Sequence, residues 1–75
     1  MSSLTILASL VSKDGKAVGV FDGEFFYTNE GVPFMRLDGD ELYDLKQPCQ
    51  FLGTFESDYL YGLQGDIIFT LKRNE

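Results

Sequence analysis

The chain has 75 residues, 44% of them apolar and 15% aromatic, with twelve acidic side chains against six basic ones and a net charge of −6. A domain of this length buries only about 60% of the surface that its unfolded chain exposes, so the length allows one small domain. The acidic balance disfavours direct contact with nucleic acid or an anionic membrane, and with no histidine and a single cysteine the chain can assemble neither a Ser-His-Asp or Cys-His arrangement nor a usual zinc ligand set.

Residues 4–12 read as a long first strand. The apolar run there is interrupted by Thr5 and Ser9, and Met1-Ser2-Ser3 has no basic region, so no secretory signal is expected. No apolar stretch approaches the ~20 residues that a membrane-spanning helix needs. Cys49 has no partner for an intrachain disulfide, which points to a reducing, cytoplasmic setting. It reads as a small loop residue, because no histidine or basic cluster in the sequence is placed to lower its pKa.

From this first strand the chain proceeds by repetition. Leu10-Val11, Phe26-Tyr27, Leu42-Tyr43 and Leu60-Tyr61 recur at spacings of 16, 16 and 18 residues. Each pair runs into a turn. Gly15, Gly31 and Gly65 occupy it in copies one, two and four, where a positive φ is cheap for glycine. Copy three has Lys46-Gln47-Pro48-Cys49 instead, longer by two residues, and a hairpin loop tolerates such an insertion. An alternating strand follows, ending at Phe21, Leu37, Phe55 or Leu71, and after it comes Asp22-Gly23, Asp38-Gly39, Glu56-Ser57 or Lys72. Strand, turn, strand, turn thus repeats four times, over about residues 4–23, 24–40, 41–58 and 59–72 of one domain.

Period-two alternation assigns the faces. Ala17, Gly19, Phe21; Pro33, Met35, Leu37; Phe51, Gly53, Phe55; and Ile67, Phe69, Leu71 make one wholly apolar face, predicted to turn inward. Val18, Val20, Phe34, Arg36, Leu52, Thr54, Ile68 and Thr70 make the opposite, partly exposed one. No segment combines a cap with a helical apolar stripe, so the fold class is all-β. Exposed strand edges invite pairing with other chains, and closing the set removes them. The repeat favours four β-hairpins closed around a pseudo-four-fold axis; the alternative is an eight-stranded up-and-down barrel.

The spacing from Phe26-Tyr27 through Gly31 and Pro33 to Asp38-Gly39 resembles the hairpin unit of the small bacterial four-fold β-flower domains, and the likeness covers residues 10–71. That resemblance implies radial hairpins and brings no catalytic residues. The residues themselves agree: the glycines sit at hairpin turns rather than in a phosphate loop, and Asp38, Asp40, Glu41 and Asp44 lack the spacing of an EF-hand. No enzymatic activity, metal or cofactor is expected.

Charge and aromatic placement bear on partners. The turns between copies carry Asp22, Glu24, Asp38, Asp40, Glu41, Glu56 and Asp58 and no lysine or arginine, so one end of the strands is predicted to be strongly negative. Net charge for solubility accounts for this, and so does docking on a basic partner. Tyr27, Tyr43 and Tyr61 alternate with the inward residues and should face outward, to pack across strands or to form a contact surface. Asp22, Asp38, Asp40, Glu41, Asp58, Tyr27, Tyr43 and Tyr61 are therefore the candidate partner-binding residues. The reading is a non-enzymatic interaction domain that binds itself as a homo-oligomer or docks on another protein. Alternatives are an acidic inhibitor occupying a basic nucleic-acid-binding protein, as small phage-encoded counter-defence proteins do, or a small-ligand site at the strand ends.

Overall fold

Every expected hairpin forms where an alternating run meets a turn residue. The computed structural model describes residues 6–73, which make eight antiparallel strands and no helix: β1 (Ala8–Val11), β2 (Ala17–Phe21), β3 (Phe25–Thr28), β4 (Pro33–Asp38), β5 (Glu41–Asp44), β6 (Phe51–Glu56), β7 (Tyr59–Tyr61) and β8 (Ile67–Arg73). Each strand pairs with the next, and β8 pairs with β1 to close an up-and-down barrel. The hairpins are hydrogen-bonded to one another all the way round, so of the two closures the barrel is the one adopted. The long first strand is shorter than its apolar run: β1 starts at Ala8, Ser12 belongs to the following turn, and residues 4 and 5 lie outside the described residues.

The ladder register repeats with the sequence. Between hairpins, Phe21 faces Phe26, Leu37 faces Leu42 and Phe55 faces Leu60, and the closing ladder adds Leu71 opposite Leu10. Within hairpins, Leu10 faces Gly19, Phe26 faces Met35, Leu42 faces Gly53 and Leu60 faces Phe69. Leu10, Phe26, Leu42 and Leu60 are all fully buried, so the core is a ring with one contribution per repeat. Ala8, Phe21, Met35 and Leu71 complete it, with the Phe21 and Phe26 rings stacked at 4.4 Å. Each fully buried side chain of this size contributes about 1.5–3 kcal/mol.

One feature departs from strict alternation, and it does so four times. Each hairpin has an irregularity immediately after its buried residue: Val11 pairs with Ala17, Tyr27 with Pro33, Tyr43 with Phe51 and Tyr61 with Ile67, leaving Val18, Phe34, Leu52 and Ile68 as the extra residue of a β-bulge. An inserted residue reverses which side chains face the core beyond it. Ala17, Pro33, Phe51 and Ile67, predicted to turn inward, are accordingly exposed. Val18, Phe34, Leu52 and Ile68, predicted for the outer face, instead pack against the core. Phe21, Leu37, Phe55 and Leu71 follow the bulge in their strands, on its side away from the hairpin turn, and are buried or half-buried as alternation requires.

The bulges also explain two inward glycines. A Cβ on Gly19 would run into the backbone carbonyl of Tyr27, and one on Gly53 into that of Tyr61, each far inside van der Waals contact. The bulges of hairpins two and four thus press against bare backbone in hairpins one and three. At the equivalent places in the other two hairpins stand Met35 and Phe69. Small and large residues therefore alternate around the ring, the usual way a narrow barrel is filled.

Three of the turns within hairpins share one hydrogen-bond pattern, from Ser12 N to Lys16 O, Thr28 N to Val32 O and Gly62 N to Asp66 O at 2.8 Å each. The longer third turn is bridged by Asp44 N to Gln50 O at 3.1 Å and contains a cis Gln47-Pro48 bond. Gly15, Gly31 and Gly65 have φ near +85°, at 87°, 86° and 83°.

Two alanine substitutions separate these effects. At Gly31 a Cβ meets nothing, so Gly31→Ala is expected to lose only the ~1–2 kcal/mol of a left-handed backbone. Gly19→Ala must displace a carbonyl and is expected to lose more than ~3 kcal/mol. Urea unfolding of both variants checks the order; equal losses would mean that the Tyr27 bulge yields freely.

Candidate interaction surface

An up-and-down barrel puts the β2–β3, β4–β5 and β6–β7 turns at one end, together with the start of β1 and the finish of β8. The seven carboxylates predicted to gather there do so by topology. Lys72, which the repeat sets at this end of copy four, is joined there by Arg73, both on β8. Arg73 offsets one of the acids directly: its Nε and Nη2 donate to Asp58 at 3.0 and 2.7 Å.

Several of the candidate residues turn out to be committed to one another. Asp22 Oδ1 accepts the backbone N–H groups of Glu24 at 3.0 Å and Phe25 at 2.8 Å, and its Oδ2 accepts the Tyr27 hydroxyl at 2.9 Å. Burial pushes this carboxyl up, but the bonds from Phe25, Glu24 and Tyr27 together outweigh it and hold the group below the usual carboxylate range. Tyr43 donates to Glu41 at 2.8 Å, while the Arg36 guanidinium lies 5.5 Å from the Tyr43 ring centre and 3.7 Å from Asp38. These hydrogen bonds to carboxylates raise the pKa of both Tyr27 and Tyr43. Asp22 and Asp58 are therefore turn and strand fasteners first. Among the described residues, Asp40 and Tyr61 are the two candidates whose side-chain oxygens are left without a partner.

The tyrosines do face outward, each touching a neighbouring ring. Tyr27 meets Phe25 edge-on at 6.5 Å, Tyr43 meets Phe51 at 5.8 Å across the β5–β6 ladder, and Tyr61 meets Tyr59 at 6.4 Å. The first hairpin has Val11 in this column, so the aromatic surface runs over β3 to β7.

Beside Tyr61 lies a groove of about 370 Å³ between β6 and the β7–β8 turn, lined by Phe51, Thr54, Glu56, Tyr61 and Leu63 with three glycines, Gly53, Gly62 and Gly65. Local sequence sets this turn apart. The position that starts each inner turn is Ser12, Thr28, Asp44 or Gly62. The first three cap their own turns: Ser12 Oγ accepts Lys16 N, Thr28 Oγ1 accepts Val32 N, and Asp44 Oδ1 accepts Gln50 N. Gly62 has no such side chain, and the turn it begins carries Leu63, 70% exposed, while Phe51 is 42% exposed because of its bulge. Neither Phe51 nor Leu63 was among the candidates from sequence. Leu63 was legible as an apolar turn residue where the first two copies have Lys13 and Asn29, although copy three has Leu45 there as well.

No family model, curated protein or solved structure matches this chain.

The hydroxyl and carboxylate pairs are directly testable. In an ultraviolet titration Tyr27 and Tyr43 should ionise above the ordinary value of about 10, and Asp22→Asn and Glu41→Gln should each return one tyrosine towards it. Unchanged curves would show that these hydroxyls lie elsewhere. Asp22 has a lower pKa folded than unfolded, so it stabilises the fold above its unfolded pKa and stops doing so as pH falls through the folded one. The stability lost in Asp22→Asn is accordingly expected to be greatest at neutral pH and to shrink below about pH 4 in urea titrations.

Proposed function

We propose that this domain is a non-enzymatic interaction module that docks on another protein through the outer surface of β5 to β8. The observation carrying this reading is the apolar exposure gathered there: Phe51 and Leu63, 42% and 70% exposed, line the groove, and Tyr59 and Ile67, 40% and 39% exposed, flank its Tyr61, one by ring contact and the other across the β7–β8 ladder. Single exposed apolar residues are ordinary, whereas a contiguous patch with aromatic members is characteristic of contact surfaces. Self-association is the homotypic alternative, which the net charge of −6 on each copy opposes. The chain's lack of histidine and the β-flower resemblance, which brings no catalytic residues, are consistent with a binding role.

The double variant Phe51→Ser, Leu63→Asp tests it. Leu63 is exposed and Phe51 loses its edge contact with Tyr43, worth about 0.5–1.5 kcal/mol, so the fold should persist with a small drop in thermal stability. Capture of the partner from the native host, or concentration-dependent mass in light scattering, is expected to be lost. Undiminished association in a folded variant would place the contact elsewhere.

A second reading, an acidic inhibitor that blocks a basic nucleic-acid-binding protein, is supported by Glu24, Asp40 and Glu56, whose carboxylates make no ion pair among the described residues at the negative end. Its binding should weaken steeply with salt and fall in a variant carrying Asp38, Asp40 and Glu41 as amides.

A further inference from the structure

The groove beside Tyr61 has walls of two kinds. Phe51, Tyr61 and Leu63 supply the apolar one. Glu56 supplies the other, and its carboxylate has no hydrogen-bond or ion-pair partner among the described residues. Glu41 lies across the β5–β6 ladder from Thr54, but its carboxylate accepts the Tyr43 hydroxyl at 2.8 Å, which leaves Glu56 as the unpartnered acid of the groove lining. The strand arginines are taken up elsewhere, Arg73 by Asp58 and Arg36 by Asp38.

Resting on the docking reading above, we propose that the groove receives a basic, apolar peptide segment of the partner: an arginine whose guanidinium meets Glu56, next to an apolar side chain laid against Phe51, Tyr61 and Leu63. Arginine fits better than lysine because its planar fork pairs with a carboxylate through two bonds and stacks on aromatic faces. The charge argues against a second copy as occupant, since each chain carries −6 and would set carboxylate against carboxylate at this rim. Nucleic acid is opposed by the same sign of charge.

Three capped dipeptides distinguish the outcomes: acetyl-Leu-Arg-amide, its citrulline counterpart, which keeps the shape without the charge, and acetyl-Leu-Glu-amide. Titrated into the full ¹⁵N-labelled chain, the arginine peptide is expected to move the amide resonances of Thr54, Glu56, Tyr61, Gly62 and Leu63 and to bind roughly fivefold tighter than citrulline, as a partly exposed ion pair allows. The glutamate peptide should be weakest. In Glu56→Gln the arginine advantage should vanish while the citrulline peptide still binds, which separates lost charge from a lost fold. Equal affinity for all three in the natural chain would overturn the cationic assignment and leave an apolar docking groove. If no peptide moves these resonances yet Phe51→Ser, Leu63→Asp abolishes partner capture, the peptide assignment fails and the docking reading stands; if that double variant also binds normally, both fail.

Discussion

The repeated bulge is the constraint on which the rest of this barrel depends. A short hairpin with uninterrupted alternation would keep one set of side chains inward along its whole length. In each hairpin here the phase reverses once, just past the buried Leu10, Phe26, Leu42 or Leu60. Two functions follow from that reversal. Before the bulge the inward residues meet their neighbours around the ring; after it, Val18, Phe34, Leu52 and Ile68 continue the packing while their predecessors are released to the surface. A bulge also raises local twist, which short strands need if so few residues are to close a ring.

Closure and filling are coupled through the same feature. The carbonyls of Tyr27 and Tyr61 reach into the space that side chains at Gly19 and Gly53 would occupy, and Met35 and Phe69 fill the ring between these contacts. Sequence repetition therefore produces four matching ladders but a core that alternates two by two. The outer surface departs further from four-fold likeness. Tyr27 and Tyr43 are tied to carboxylates at 2.9 and 2.8 Å, Val11 replaces a tyrosine, and Tyr61 borders the groove lined by Gly62 and Leu63. A chain built from copies thereby acquires one distinctive side.

Much of this architecture could be read from the residues. The paired columns, the turn glycines and the two-residue insertion in copy three place all the hairpins, since period-two runs bounded by turn residues leave little choice. The bulge could not be read in this way. Residues 17 and 18, 33 and 34, 51 and 52, and 67 and 68 are all apolar pairs, so polarity carries no mark of which member faces the core. Phe51 and Ile67 were assigned inward for that reason. The carboxylates were legible as a cluster but their commitments were not, because the Asp22 bonds depend on a turn bringing three donors to one side chain. The groove was invisible for a related reason: Phe51 is exposed there because of where the bulge sends it.

The ladder between β1 and β8 has an implication for chain order. Ala8 lies opposite Arg73 in the same register that joins every other neighbouring pair of hairpins, so the ring has no privileged starting strand. Linking these two places by a short connector and reopening the backbone at Ser57-Asp58 would spell a circularly permuted polypeptide with every ladder intact. Connectivity, in this barrel, is a convention of the reading direction rather than part of what holds it closed.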